Sequence, residues 1–294
     1  MPITDEQREQ VVAAAIREIS HIATLPEITM KIIDLVEDPR STAQDLHKVI
    51  NNDPALCSRI LKVVNSSFYG LPGQIGSINR AIVMLGLNAV KNIAIAASLA
   101  KLFRGGELTP SFSARELWVH SNATAAGAKL IADTLRLGFS DEAFLGGLIH
   151  DIGVMVEMQY DRAGLIDVVE RVSAGPGQPP AGDMLEVEAE VFGANHQDFG
   201  QALCEKWKFP KSFARVTGWH HRPLEVAAES RTLVAIVAIA DRLAAEHATG
   251  FRLDLLDTAI GHDLLDAVQL SSEQLARLRE RLPEVYAEAE STLG

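Results

Sequence analysis

The sequence predicts an all-α protein, a multi-helix bundle, and three observations carry the prediction. Ala, Leu and Ile dominate, while aromatic residues are only 5%, a balance that suits helix packing better than sheets. Apolar residues recur at three- and four-residue spacing, and strict alternation is scarce. Capping residues and prolines stand where these periodic stretches begin. Length and composition agree: 294 residues, 47% apolar and 22% charged, are enough for a large core and too apolar for a disordered chain.

Taken in order, Thr4 with Asp5 and Glu6 opens a first helix running toward Ile22, its acids suited to the helix N-terminus. Pro26, Pro39 and Pro54 each fall near a helix start. Between them lie helices over 30–37, with an apolar face at Ile32, Ile33 and Val36, and over 43–51. Asp53-Pro54 opens a helix over 55–65, with a stripe at Leu56, Ile60, Leu61 and Val64. A loop over 69–76, rich in Gly and Pro, precedes Ser77, which caps a helix over 78–85. Gly86 breaks the pattern before a more buried helix over 88–103. The stretch 104–113 (RGGELTPSFS) reads as a linker. It divides the chain into an N-terminal helical subdomain, 1–108, and a helical bundle, 109–294.

The second half begins with a helix over about 114–135. A mostly apolar helix follows over 141–158, interrupted around Gly153. Residues 173–183 (SAGPGQPPAGD) form a flexible loop of the kind that borders a site. Helices over 184–192, 198–206, 211–219, 232–246 and 272–293 complete the set.

Charge and cysteine usage exclude several classes. Lys and Arg number 27 against 39 Asp and Glu, a net charge of −12. Such a field repels phosphate backbones and argues against broad nucleic-acid binding. Cys57 and Cys204 are the only cysteines, so neither a disulfide framework nor a thiolate zinc motif is expected. The polar start, MPITDEQREQ, is unlike a secretory signal. The longest apolar runs fall well short of the roughly 20 residues of a membrane span. A cytoplasmic protein without membrane insertion is expected.

The chemistry-bearing residues lie in the second half. Five of the nine histidines fall between residues 120 and 221. His150-Asp151 sits inside the apolar run FLGGLIHDIGVMV, and Asp241 ends another, LVAIVAIAD. Burying an isolated carboxylate costs several kcal/mol or more unless it is paired or bound to metal. The partners available are mostly imidazoles: His120 in RELWVHS, His196 in NHQDFG, and His220 and His221 in GWHHRP. Glu116, four residues before His120, is about 40° away on the same helix face.

Two readings of these residues stay open. They form an N/O ligand set suited to Fe, Mn, Zn or Ni, large enough for two ions. Alternatively each buried His–Asp pair is a satisfied hydrogen bond in the core. Glu116 stands either as a ligand or as a solvated helix-start acid. His21, His47, His247 and His262 read as surface or structural residues.

The N-terminal stretch adds a family. Residues 26–70, PEITMKIIDLVEDPRSTAQDLHKVINNDPALCSRILKVVNSSFYG, resemble the opening of the HDOD family, the HD-related output domain of bacterial signalling. The match continues through IGSINRAIVMLGLNAVKNIAIA, residues 75–96, and with the histidine-bearing half covers roughly 20–250. The resemblance implies an all-α fold related to the metal-dependent phosphohydrolases of the HD superfamily. It also implies a signalling role with sensor or receiver modules on other chains as partners.

The resemblance further implies site roles. His120, His150, Asp151 and Asp241 stand where the superfamily's basic metal ligands stand. His196, His220 and His221 match the extra ligands of HD-GYP enzymes, which hydrolyse cyclic di-GMP. Glu116 falls where some of those enzymes hold a third metal. Two departures count against cyclic di-GMP as substrate. The chain after His221 reads RPLEVAAES, with no Gly-Tyr-Pro segment, and Val154 replaces the Lys three residues beyond the HD aspartate. Nearby cations are few, Arg222 and Arg242 being the main candidates.

The expectation is therefore a centre of two transition-metal ions, Fe or Mn first and Zn or Ni also suited. Asp151 bridges them and serves as the catalytic carboxylate of a phosphohydrolase acting on a phosphoester or nucleotide. The alternative is a non-catalytic signalling module whose metal centre is structural or sensory. A third, weaker reading is iron-dependent oxygenation, as in a few HD-fold enzymes.

Overall fold

A computed structural model describes residues 4–19, 27–38, 40–66, 69–100, 102–103, 107–175, 178–247 and 250–293. Pro26, Pro39 and His21, and the first helix beyond Ile19, lie outside the described residues. The N-terminal part runs through α1 (Asp5–Glu18), α2 (Glu27–Glu37), α3 (Ala43–Asn51), α4 (Pro54–Val64), α5 (Ile78–Leu85) and α6 (Leu87–Leu99). The expected caps form. Thr4, Thr42, Asp53 and Ser77 each accept a backbone N–H in the first turn of their helix, satisfying donors that a helix start leaves open.

The expected linker contains a small antiparallel pair, β1 (Glu107–Thr109) and β2 (Phe112–Ser113). Phe112 is fully buried there and meets the Phe251 ring edge-on at 5.4 Å. This aromatic contact anchors the part of the stretch that pairs, residues 107–113, to the bundle.

The remaining helices are α7 (Ala114–Thr134), α8 (Ser140–Ile149), α9 (Ile152–Tyr160), α10 (Arg162–Val172), α11 (Met184–Phe192), α12 (His196–Lys206), α13 (Lys211–Trp219), α14 (Ala228–Glu246), α15 (His262–Val268) and α16 (Ser272–Leu293), with a 3-10 turn at Pro223–Glu225. The bundle packs α7 against α8, α14 and α16, and α12 against α9 and α13. Small residues make the close approaches possible. At Gly147 an added Cβ would sit 2.8 Å from the Ala125 backbone, so α8 lies directly on α7.

Three local readings are corrected. The interruption expected around Gly153 falls at His150-Asp151, where α8 ends and α9 begins. Gly153 serves packing instead: a Cβ there would lie 1.8 Å from the His196 carbonyl oxygen. His196, which lies ahead of the helix expected over 198–206, is the first residue of α12, with Asn195 capping it. The helices α10 and α15 were not anticipated; Asp161 caps α10 by accepting from Ala163 and Gly164.

Buried apolar residues form two clusters. The larger runs from Val12 to Leu253 and takes residues from both sides of position 108. The smaller joins α7, α14, α15 and α16. The loop over 69–76 is tied to the bundle by Tyr69, whose hydroxyl donates to Asp141 at 3.4 Å beneath the Lys129 ammonium, 5.3 Å from the ring centroid. Among the described residues, no helix is long and apolar enough to cross a membrane.

Candidate metal centre

Five helices bring the expected residues together. His120 comes from the middle of α7, His150-Asp151 from the α8–α9 break, His196 from the first position of α12, His220-His221 from the end of α13, and Asp241 from α14. All but His221 are fully buried, and the His221 side chain is 7% exposed.

Asp151 stands at the middle. Its Oδ2 lies 3.1 Å from His150 Nε2, while its Oδ1 lies 3.2 Å from His220 Nε2 and 3.8 Å from His196 Nε2. Asp241 Oδ1 lies 3.0 Å from His120 Nε2 and 3.7 Å from His150 Nε2. The donor atoms of His120, His150 and Asp241 fall within 4.8 Å of one another, as do those of Asp151, His196, His220 and His221. The two oxygens of Asp151 thus face in different directions, Oδ2 toward His150 and Oδ1 toward His220 and His196.

The opposite ring nitrogens of His150, His220 and His196 are anchored outward, whereas His120 Nδ1 is buried without a partner. His150 Nδ1–H donates to the Gly147 carbonyl at 2.7 Å. His220 Nδ1–H faces the carbonyls of Val216 and Thr217, each at 3.2 Å. His196 Nδ1–H donates to the Glu188 carboxylate at 2.9 Å, and the His196 backbone N–H donates to it at 3.0 Å. Outward N–H bonds of this kind fix the tautomer and leave each neutral Nε2 as a lone pair pointing inward. His196 Nε2 and His221 Nε2 even face each other at 3.0 Å.

Charge in the centre is finely divided. Burial opposes ionisation of Asp151, but His150 and His220 hold it well below the usual carboxylate range. Burial opposes Asp241 likewise, and His120 and His150 hold it low. Burial works against a charged His150, yet Asp151 and Asp241 raise it well above its ordinary value. Burial works against His196 too, and Glu188 brings it up to about 9. His221, by contrast, is held well below its usual range by burial and by the charges of His220 and His196. Without a cation, the aspartates favour protons on neighbouring imidazoles, His120, His150 and His196 all being raised; a divalent ion would compete with those protons.

The residues fit a metal on a direct observation. His150 Nε2, both oxygens of Asp151, His220 Nε2, Asp241 Oδ2 and both oxygens of Asp254 are buried without a hydrogen-bond partner. A buried polar atom left unsatisfied costs about 1–3 kcal/mol, so their gathering at one point calls for a shared ligand. The donors are nitrogen and oxygen only. Cys204 lies apart, its thiol pushed up to about 12 by burial and facing the Thr217 hydroxyl at 3.8 Å. Imidazole and carboxylate together suit Fe, Mn, Zn or Ni.

Glu116 does not join the cluster. It is exposed in the first turn of α7, where its carboxylate accepts from the Ser113 hydroxyl at 3.2 Å. Three acids not anticipated do belong to the surroundings. Glu188 orients His196. Glu157 is raised well above the carboxylate range by burial and then by Glu188. Asp254 lies 3.7 Å from His221 Nε2; burial, with the charges of Asp151 and Asp241, pushes it up to about 8. Glu157 was visible as a lone acid in VMVEM, whereas Glu188 is hidden among evenly spaced acids in LEVEAEV.

Comparison with known proteins places the chain's fold. The family model for the HDOD domain matches residues 22–223, a span that holds the expected ligands except Asp241. An HDOD domain protein of unknown function from Geobacter sulfurreducens superposes with a TM-score of 0.80 at 22% identity, covering 98% of this chain and 99% of that one. A protein from Shewanella amazonensis SB2B, provisionally described as a phosphohydrolase, superposes with a TM-score of 0.73 at 21% identity, over 97% of this chain and 98% of its own. An uncharacterized protein from Treponema pallidum (strain Nichols) is 24% identical over 295 residues, 97% of this chain and 53% of its own length. The chain thus spans about half the length of the curated relative it matches. At these identities the structural likeness is one of fold.

Proposed function

The chain belongs to the HDOD domain family, and from that premise we propose a signalling protein whose bundle holds a dinuclear transition-metal centre for phosphoester hydrolysis. One observation carries the reading: Asp151 stands between two clusters of donors, with Oδ2 facing His150 of one and Oδ1 facing His220 and His196 of the other. His120, His150 and Asp241 would hold one ion; His196, His220 and His221 would hold the other, with Asp151 between them. Fe or Mn is the first choice, with Zn or Ni also suited to the donors. Such a pair, when bound, lowers the pKa of a water and offsets charge on phosphoryl oxygens.

The chain's own residues supply the rest. His221 lines a surface cavity of about 390 Å³ together with Arg222, Arg242, Leu224 and Leu264. It is the one ligand through which solvent reaches the cluster, so this cavity is the approach for a phosphoester. The Arg222 guanidinium lies 5.1 Å from the Trp219 ring centroid, and that of Arg242 donates to the Ala238 carbonyl at 2.8 Å. Arg222 also lies 3.9 Å from Glu225, and Glu225 and Asp263 line the same cavity, so an anion would enter beside both arginines and two acids. Sensor or receiver proteins are the partners proposed, and the cytoplasm the compartment, consistent with free Cys57 and Cys204.

A second reading is favoured by burial. With six of the seven proposed ligands at 0% exposure, the centre resembles closed metal sites, which serve structure or sensing. One experiment separates the two. Protein purified without an affinity tag is assayed for metal and then offered p-nitrophenyl phosphate, its bis ester and cyclic di-GMP. The hydrolytic reading expects metal-dependent turnover of a simple ester at least tenfold above that of Asp151→Asn. Little or no cyclic di-GMP hydrolysis is expected, because the Gly-Tyr-Pro segment is absent and Val154 is buried. Full metal occupancy with no turnover of any ester would leave the sensory reading standing.

A further inference from the structure

The connection between α14 and α15 crosses the centre as an irregular strap. Over residues 250–261 it forms no helix, yet Phe251, Leu253, Asp254 and Leu255 are buried. Its near end is fixed. The Phe251 N–H donates to the Glu116 carbonyl at 3.1 Å, and a Cβ at Gly250 would lie 2.4 Å from that same oxygen. Its far end, at Ala259 and Gly261, lines the cavity that also holds His221. Between these ends the strap turns one carboxylate inward.

That carboxylate belongs to Asp254. Its side chain is 0% exposed, and Oδ2 lies 3.7 Å from His221 Nε2. Neither of its oxygens has a hydrogen-bond partner. One oxygen of Asp254, one of Asp241 and a ring nitrogen of His221 all fall within 4.8 Å of one another. An acid with no donor, buried beside two other aspartates, is placed at a cost that the apolar residues of the strap do not relieve. A divalent cation of the centre, held at either His221 or Asp241, relieves it.

We propose that Asp254 is a metal-ligating carboxylate of the centre, and that the bond from metal to Asp254 holds the strap of residues 250–261 closed over it. The proposal rests on the metal-centre reading and goes beyond it, since it couples metal occupancy to access. Losing the metal frees the strap and opens the buried cluster toward the cavity at His221. A metal-filled state would therefore differ from a metal-free state at the protein surface, where a partner can sense it.

The test compares wild type with Asp254→Asn, each stripped with chelator and then titrated with Mn(II). Metal affinity, amide hydrogen exchange of residues 251–256 and a thermal melt are measured. In wild type, Mn(II) is expected to slow exchange across the strap at least tenfold. Asp254→Asn is expected to bind Mn(II) at least about tenfold more weakly, with strap exchange indifferent to metal. Stripped Asp254→Asn should melt no lower than stripped wild type, because the substitution removes a buried carboxyl that makes no hydrogen bond. Wild-type affinity and metal-dependent protection retained in Asp254→Asn would overturn the proposal alone. A wild type that takes up no metal would overturn the metal-centre reading and the proposal together.

Discussion

Asp151→Asn is expected to fold and to lose metal. The side chain keeps its shape and one acceptor oxygen, but it no longer carries the charge that faces His150 on one side and His220 on the other. No acid stands near it in the run LIHDIGVMV to take its place. If Asp151 were only an acceptor for an imidazole, stability would fall by about 1–3 kcal/mol and metal content would not change. If it lies between two cations, at least one ion is lost and any phosphoesterase activity goes with it. The melting temperature in saturating metal should then fall by about 10 °C, because a ligand at roughly 1,000 times its Kd adds about 4 kcal/mol and each kcal/mol moves a chain of this size by a few degrees. Metal stoichiometry beside a thermal melt measures both. Full occupancy in a folded Asp151→Asn protein would remove Asp151 from the bridging position.

Gly153→Ala carries the second large effect, and it acts without touching a ligand side chain. A Cβ at this position would lie 1.8 Å from the His196 carbonyl oxygen, 2.6 Å from its carbonyl carbon and 2.9 Å from the Gly200 nitrogen. These are backbone atoms of the first turns of α12, so no side chain can rotate away. The helix must shift, and with it His196 and its bond to Glu188. Overpacking costs about 1–3 kcal/mol when side chains can adjust. Here the expected loss is at least about 2 kcal/mol, after allowing the roughly 1 kcal/mol that Ala gains over Gly within a helix. Gly182→Ala is the control, since nothing lies within 4 Å of an added Cβ there. Denaturant unfolding and metal titration of both variants check the result. Gly153→Ala with the stability and affinity of wild type would show that α9 and α12 are not held in contact as described.

The same glycine shows where sequence reasoning reached its limit. Gly153 was read as a helix breaker because glycine lacks helix propensity. In the fold it lies within the first turn of α9, and its role is to admit another helix, which only the tertiary arrangement reveals. The helical class was legible because Ala, Leu and Ile repeat at helical spacing behind caps such as Thr4, Thr42 and Ser77. His150, Asp151 and Asp241 were legible because they interrupt apolar runs, whereas His120, His196, His220 and His221 offered themselves only as nearby imidazoles whose roles the family resemblance implied. Glu116 fitted by spacing alone, and its exposure at the start of α7 shows how little one helical turn says about direction across a bundle. Asp254 stood in FRLDLLD, beside Asp257, with nothing to separate it from an acid in a solvated loop. Its burial follows from Phe251, Leu253 and Leu255 anchoring the strap, a consequence of long-range packing with no local pattern.

The central claim is that the seven residues brought together by α7, the α8–α9 break, α12, α13 and α14 hold two metal ions. Elemental analysis tests it most directly, on untagged wild-type protein expressed with iron and manganese supplied and purified without chelator. The account predicts close to two transition-metal ions per chain, both removed by prolonged chelation and both restored on titration. Metal-replete expression that yields folded protein with no transition metal would contradict it.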